Sequence, residues 1–382
     1  MKLNDEVAMK KINILILVCL MIGMTACSQT VNESEPVSST EQTEVMNEAE
    51  PVDSNIELID ALGNQLILEE IPENIVVAGK QTPMIIDLLF LFPDVDVKIA
   101  GIENRSQTTK DFLAAISPEY VEKVNLEKGA GTEQIAALNP DIVILKTSMA
   151  EELGAGLETL GIPILYVSME SIAELETDIT NIGLILGESE RANEIIAEYD
   201  QMTRDIEEKV PGDAPQKDVL LLQYSEDNGE ISFEVPPASW LQTNLVEMAG
   251  GNPIWVDAAE TGGWATVNIE QIANWNPDII FVVNYFGNSV ETVEQLKENT
   301  IWQELTATQN GELYGFPGDF ISWDQPDSRW ILGYSWMATK INPESFADIN
   351  FEDIVVNFYQ ALYSVDEATI QENIIPLLYG SF

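Results

Sequence analysis

Two cations directly follow predicted strands and are suited to bind an anion. Lys80 follows the apolar segment 75–78 and Arg105 follows the segment 97–102, in a chain with only 17 lysine and arginine residues. Ammonium and guanidinium groups form charge-assisted hydrogen bonds with carboxylates, phosphates and chelated metal complexes. We therefore predict that Lys80 and Arg105 contact an anionic ligand, with ordinary surface charge as the alternative.

Aromatic side chains occur in predicted loops of the second half of the chain. These are Trp240, Trp264, Tyr285 and Trp323. Aromatic rings offer large apolar faces, which suit a flat or greasy ligand. We predict that all four bind the ligand together with Lys80 and Arg105, and the alternative is packing between loop and core.

The residue types that are missing exclude several functions. The chain contains no histidine, and its two cysteines, Cys19 and Cys27, both lie in the N-terminal segment. Histidine-based triads and imidazole metal sites are therefore excluded. The net charge of −48 repels nucleic acid and anionic lipid headgroups. We predict a binding protein that is not an enzyme and has no catalytic residue, metal site or resident cofactor. An exported hydrolase with two carboxylates is the alternative, but no such pair stands out.

A repeated segment organises the fold. Residues 133–145 read EQIAALNPDIVIL and residues 270–282 read EQIANWNPDIIFV. Each copy predicts a short helix, a turn at Asn-Pro-Asp, and an apolar strand of the kind found in parallel sheets. The two copies predict two similar Rossmann-like α/β lobes with parallel sheets and a ligand cleft between them.

The order of the other segments sets the domain boundaries. We predict an N-terminal lobe at 54–170, linker helices at 171–210 and a C-terminal lobe at 211–382. One long helix, with Ser189 as a plausible N-cap, joins the two lobes. In such sheets the loops at the carboxyl ends of the strands form the default ligand site.

The first residues predict export and a lipid anchor. An apolar run at 12–26 has signal-peptide proportions and ends in Met24-Thr25-Ala26-Cys27, which looks like a bacterial lipobox. We predict a signal peptide at 1–26, a lipid on Cys27, and an acidic, disordered tether at 27–53. The protein would then lie on the extracytoplasmic face of the membrane, held by its N-terminal lipid alone.

From about residue 56 to residue 363 the chain resembles the substrate-binding proteins of ABC importers for ferric siderophores, haem and cobalamin. The resemblance rests on IDALGNQLIL, both repeat copies, LETLGIPILYV, EMAGGNPIW, WDQPDSRWILGYSWMA and FEDIVVNFYQALY, in that order. It implies capture of a metal chelate as cargo by a monomer, and delivery to a permease dimer with its cytoplasmic ATPase. It also marks Arg329 as a structural residue.

The resemblance also bears on individual residues and on the alternatives for function. Trp264 matches a cleft tryptophan of the cobalamin-binding relatives, but the matching first-lobe position is Glu127, which counts against cobalamin. Glu133 and Glu270, equivalent in the two repeats, would dock on the permease, and a favourable charge at a helix N-terminus is the alternative.

A few relatives bind oxyanions such as molybdate, and a sensor or adhesion module could use the same fold without transport.

Overall fold

The computed structural model describes residues 55–105, 113–212, 215–259 and 262–382. The predictions for the signal peptide, Cys27 and the tether lie outside these residues. The strands are β1 (Ile56–Ile59), β2 (Gln65–Leu68), β3 (Ile75–Val77), β4 (Ile99–Ile102), β5 (Ile142–Lys146), β6 (Ile164–Val167), β7 (Lys217–Asp227), β8 (Glu230–Val235), β9 (Gly251–Pro253), β10 (Ala265–Val267), β11 (Ile279–Val283) and β12 (Leu313–Gly315).

Helices connect most of these strands, as expected for an α/β fold. The α-helices are α1 (Thr82–Leu89), α2 (Val95–Lys98), α3 (Leu113–Ile116), α4 (Tyr120–Lys123), α5 (Thr132–Ala136), α6 (Ala155–Thr159), α7 (Ile172–Leu186), α8 (Ser189–Glu207), α9 (Leu241–Met248), α10 (Ile269–Trp275), α11 (Ser289–Glu298), α12 (Thr306–Asn310), α13 (Trp330–Ile341), α14 (Phe351–Tyr363) and α15 (Glu367–Thr369).

The first lobe is built on a parallel sheet in the order β4-β3-β5-β6. Its central strands β3 and β5 are buried along their whole length. This agrees with their unbroken apolar sequences, because a parallel sheet is covered on both faces. A separate hairpin, β1 with β2, precedes this sheet as the sequence predicted.

The second lobe departs from the prediction of a parallel sheet. Strands β7, β11 and β12 are parallel, but β8 is antiparallel to both β7 and β10. The cause is a hairpin at Asn228 and Gly229, both with positive φ. Asn-Gly between strands is a strong hairpin signal, so the sequence did contain this information. The mixed sheet remains an α/β fold with a parallel centre.

The repeat copies occupy equivalent places in the two lobes. Helix α5 leads into β5 and α10 leads into β11, and both Asn139 and Asn276 adopt positive φ before the proline. Asp141 Oδ2 accepts hydrogen bonds from the backbone N–H of Glu73 and Asn74, and Asp278 Oδ2 accepts one from Asp218. The repeated aspartate therefore aligns each strand with its neighbour, which explains why Asn-Pro-Asp recurs.

The two lobes are connected by α7 and α8, with α8 as the long linker. The helix begins at Ser189, but Glu188 occupies the N-cap position and no side chain caps the helix. The prediction of Ser189 as N-cap is therefore wrong by one residue. Tyr199 of α8 donates a hydrogen bond to the Ser328 carbonyl at 2.7 Å, which joins the linker to the second lobe. The described residues form one compact unit.

Candidate functional site

The loops at the carboxyl ends of the first-lobe strands meet the second lobe around a small cavity. It has a volume of about 70 Å³, and its polar lining includes Glu103 and Arg105, which follow β4. Phe320 and Ile321 of the second lobe line the same cavity. The structure therefore places a narrow cleft where the topology of such sheets predicts a ligand site.

Arg105 is one of the two cations that the sequence selected, and it lies in this cleft. Its side chain is 19% exposed, and its Nε donates a hydrogen bond to Glu103 Oε1 at 2.6 Å. Glu103 itself is buried. Arg105 can therefore offer its remaining nitrogens to a ligand without becoming a fully exposed surface charge.

Lys80 has a different environment. Its side chain is 60% exposed, and its nearest ionic partner is Glu152, with Nζ 3.8 Å from Oε2. An exposed pair at this distance contributes little to stability. Lys80 does not line the cavity, so the structure does not bring it together with Arg105.

Three of the four predicted aromatic side chains form one cluster in the second lobe. The rings of Trp240 and Trp264 meet edge to face with centroids 5.7 Å apart, and Trp264 meets Tyr285 at 6.1 Å. All three remain partly exposed. Edge-to-face contacts fix the rings and leave apolar faces for a ligand. We name Trp240, Trp264 and Tyr285 the aromatic cluster.

A buried carboxylate anchors the aromatic cluster. Tyr285 donates its hydroxyl hydrogen to Asp324 Oδ2 at 2.6 Å, and Ser322 donates to Asp324 Oδ1 at 2.6 Å. Burial raises the pKa of Asp324 to about 6. Burial and the neighbouring Asp324 also hold the pKa of Tyr285 well above its usual range, so the phenol remains a donor.

The prediction for Trp323 is not supported by its position. Its side chain is 0% exposed, and its ring packs against Phe351 and Phe382 at centroid distances of 5.9 and 6.1 Å. Its ring is buried in the core, although Phe320 and Ile321 of the same segment line the cleft. Trp323 is therefore a packing residue in this structure.

Glu133 and Glu270 have matching surroundings on the two lobes. Each is exposed in the first turn of its helix, α5 or α10. The neighbouring glutamines do the capping: Gln134 Oε1 accepts from the Gly131 N–H at 2.9 Å, and Gln271 Oε1 accepts from the Asn268 N–H at 3.1 Å. The glutamate side chains therefore point to solvent and are not needed as caps.

The aspartates near the start of α13 are structural. Arg329 is fully buried, with Nε 2.9 Å from Asp319 Oδ2 and Nη1 3.5 Å from Asp327 Oδ2. This agrees with the structural role that the sequence gave to Arg329. Across the described ranges, no cluster of acidic, histidine or cysteine side chains is arranged to hold a metal ion.

A larger cavity lies outside the cleft. It has a volume of about 920 Å³ and is lined by residues of α8, α13 and α14, among them Met202, Leu332 and Ile354. None of the predicted site residues lines it. Of the predicted ligand-binding residues, Arg105 alone lines the smaller cleft. We take this cleft as the candidate site, because it joins a cation to the loops that follow the parallel strands.

The comparison with known proteins now decides the family. A profile described as "Periplasmic binding protein" matches residues 77–320, well over half of the chain. The chain belongs to the periplasmic binding protein family. The matched range contains Arg105, the aromatic cluster and Phe320.

Individual members of the family are similar over most of the chain. The Fe(3+)-citrate-binding protein YfmC of Bacillus subtilis is 22% identical over 79% of this chain and 87% of its own length. The molybdate-binding protein MolA of Haemophilus influenzae is 22% identical over 81% and 89%. A solved periplasmic solute binding protein from Veillonella parvula has a TM-score of 0.67 and 23% identity, over 84% and 97%. That structural likeness supports the fold.

Two residues of the site were not selected from the sequence. Glu103 directly follows β4, and Asp324 lies in a loop, at the second position of the segment WDQPDSRWILGYSWMA. Glu103 did carry one signal, since it is an acidic residue that directly follows an apolar strand and lies two residues before Arg105. Asp324 carried none, because its partner Tyr285 is 39 residues away.

Proposed function

We propose that this protein is the solute-binding component of an ABC importer and that it captures a ferric chelate or a related metal chelate. The observation that carries the proposal is the composition of the cleft. It combines one partly buried guanidinium, Arg105, with apolar second-lobe side chains at Phe320 and Ile321. The aromatic cluster is tied through Tyr285 to Asp324 in the same second-lobe segment.

The chemistry of the cleft suits a chelate. A chelate spreads its negative charge over several oxygens and presents apolar or aromatic faces, so one guanidinium and several rings can hold it. The metal would arrive as cargo and needs no protein ligand. The likeness to YfmC, named for ferric citrate, supports this class of ligand.

A second candidate is an oxyanion. The likeness to MolA, named for molybdate, favours it. A bare dianion requires several converging donors and gains little from apolar rings, and Glu103 adds a negative charge beside Arg105. We therefore rank the chelate first. An exported carboxylate-based hydrolase ranks last, since the relatives are solute-binding proteins.

A ligand panel tests this proposal. Purified protein would be melted with ferric citrate, ferric siderophores, haem, cobalamin and molybdate, each at a large excess. A ligand at 100 times its Kd stabilises the folded state by about 2.7 kcal/mol. A chelate that raises Tm and quenches tryptophan fluorescence would support the first candidate. A response to molybdate alone would establish the second, and no response at all would refute both.

We also propose that the protein works outside the cytoplasm as a lipid-anchored monomer. The family is extracytoplasmic, and the segment ending at Cys27 has the sequence of a lipoprotein signal. In the part of the chain that the structure describes, no helix is long and apolar enough to cross a membrane. Attachment through the lipid on Cys27 is therefore the proposed link to the membrane.

The proposed partner is a permease dimer with its cytoplasmic ATPase, and Glu133 and Glu270 are the proposed contacts. The two glutamates occupy equivalent helix starts, and neither acts as the cap of its helix. Two exposed acidic groups on pseudo-equivalent lobes suit a two-fold partner with basic pockets. Contacts of this kind give orientation and a faster on-rate more than affinity.

A further inference from the structure

Glu103 connects three separate loops of the first lobe through its side chain. Oε2 accepts a hydrogen bond from the Gly79 N–H at 2.7 Å. Oε1 accepts from the Gly129 N–H at 2.7 Å and from Arg105 Nε at 2.6 Å. The residue is 1% exposed. A buried carboxylate thus lies at the point where the loops after β3, after β4 and before α5 converge.

Each partner of this carboxylate is a donor. A glutamine at this position would turn an amide NH₂ group towards at least one N–H, so it could not reproduce the arrangement. Gly79 and Gly129 also adopt φ of +83° and +85°, a conformation that other residues rarely take. Their backbone N–H groups can therefore point at the carboxylate while the chain turns sharply.

We propose that Glu103 is a positioning residue of the ligand site, which fixes the three loops and sets the orientation of Arg105. This inference rests on the proposed function. Glu103 engages Nε of Arg105, and across the described residues we find no hydrogen-bond partner for the two terminal nitrogens. Those two nitrogens are then held ready for the oxygens of a ligand.

The ion pair of Glu103 and Arg105 also determines which anions the cleft accepts. The carboxylate of Glu103 offsets the charge of Arg105, so the pair offers donors with almost no net charge. Such a pair favours a ligand whose negative charge is spread over several oxygens, and it disfavours a compact dianion. Glu103 is therefore a specificity-determining residue as well as a structural support.

A double-mutant cycle with ferric citrate and molybdate as probes tests this role. Glu103→Gln should weaken ferric citrate binding about ten- to hundredfold, the range for losing a charged hydrogen bond. Arg105→Ala should cause a similar loss, and the double variant should be no weaker than Arg105→Ala alone. Glu103→Gln should also raise the ratio of molybdate to ferric citrate affinity. Additive losses, or an unchanged affinity in Glu103→Gln, would overturn the proposal.

Hydrogen exchange supplies a readout that needs no ligand. In Glu103→Gln the amides of Gly79 and Gly129 should exchange faster, while amides at the opposite edge of the sheet stay protected. Asp141→Asn is the matched control, because Asp141 is also a carboxylate that accepts backbone N–H bonds, at the amino ends of the strands. It should expose the Asn74 amide and leave ligand affinity unchanged.

Ligand binding tests the proposed ligand class, and hydrogen exchange tests the positioning role of Glu103 separately. If the wild type binds neither probe, the proposed ligand class fails, and exchange at Gly79 and Gly129 still decides whether Glu103 fixes the loops. If Glu103→Gln does not fold, Glu103→Asp keeps the charge but shortens the reach, and faster exchange with weaker binding is expected. Unchanged exchange at both glycines would refute the positioning role.

Discussion

A buried ion cluster connects the two lobes, and replacing its central cation, Arg329, should destabilise the protein. Arg329 Nη1 lies 2.7 Å from Asp87 Oδ2 of α1, in the first lobe, and Nε lies 2.9 Å from Asp319 Oδ2, in the second. All three side chains are fully buried. The guanidinium also lies 4.4 Å from the centre of the Phe320 ring, directly beneath the cleft.

Arg329→Met removes the cation and keeps most of the side-chain volume. Asp87 and Asp319 would then be buried without their positive partner. Removing one partner of a buried ion pair costs about 3–5 kcal/mol. With an unfolding entropy of about 2.1 cal/mol/K per residue over roughly 330 residues, this loss lowers Tm by about 4–7 °C.

The assay is thermal and denaturant unfolding, with Arg204→Met as the control. Arg204 is also paired with an aspartate, but its side chain is 54% exposed and the pair is 4.0 Å apart. Its replacement should change the unfolding free energy by less than about 0.5 kcal/mol. Adding Asp87→Asn and Asp319→Asn to Arg329→Met should restore part of the stability.

Two results would refute this reasoning. A loss no larger than that of Arg204→Met would mean that the cluster does not hold the lobes together. A deficit that Asp87→Asn and Asp319→Asn do not reduce would mean that the stranded carboxylates are not its cause.

Four further outcomes are expected. Burial raises the pKa of Asp178 to about 7, so the folded state binds this proton more tightly than the unfolded state does. The unfolding free energy therefore falls as pH rises from about 4 to about 7, and Tm should be higher at pH 5.5 than at pH 8. A Tm difference that persists unchanged in Asp178→Asn would exclude Asp178 as its cause. Trp264→Ala should weaken chelate binding by about 1–3 kcal/mol and reduce the fluorescence quench, whereas unaltered affinity would remove it from the site. Changing Glu133 and Glu270 to Ala should abolish uptake by cells with ligand binding intact, and normal uptake would disprove docking through them. Cys27→Ala should shift the protein from the detergent phase to the aqueous phase or trap its precursor, and unchanged detergent partitioning would contradict lipidation.

Local sequence patterns were sufficient for most of the fold. The repeat predicted that α5 leads into β5 and that α10 leads into β11. In each copy a proline ends a short amphipathic helix, and the apolar run that follows the proline suits a buried strand. The sequence also selected Arg105 and the three residues of the aromatic cluster, because they lie in loops next to predicted strands, and their contact with a ligand stays a prediction. The mixed second sheet was missed although Asn228-Gly229 signalled its hairpin.

The sequence by itself determined the family of folds and the absence of imidazole and thiol chemistry from the region after residue 27, and it proposed both Lys80 and Arg105 as cations of the cleft. Tertiary structure alone decided that Trp323 is covered by Phe351 and Phe382, and that Glu103 gathers Gly79 and Gly129 from 24 and 26 residues away. The physical reason is the sequence separation over which each effect acts. Propensity and periodicity act over a few neighbouring residues, whereas burial and a shared carboxylate depend on which distant segments the completed fold brings together.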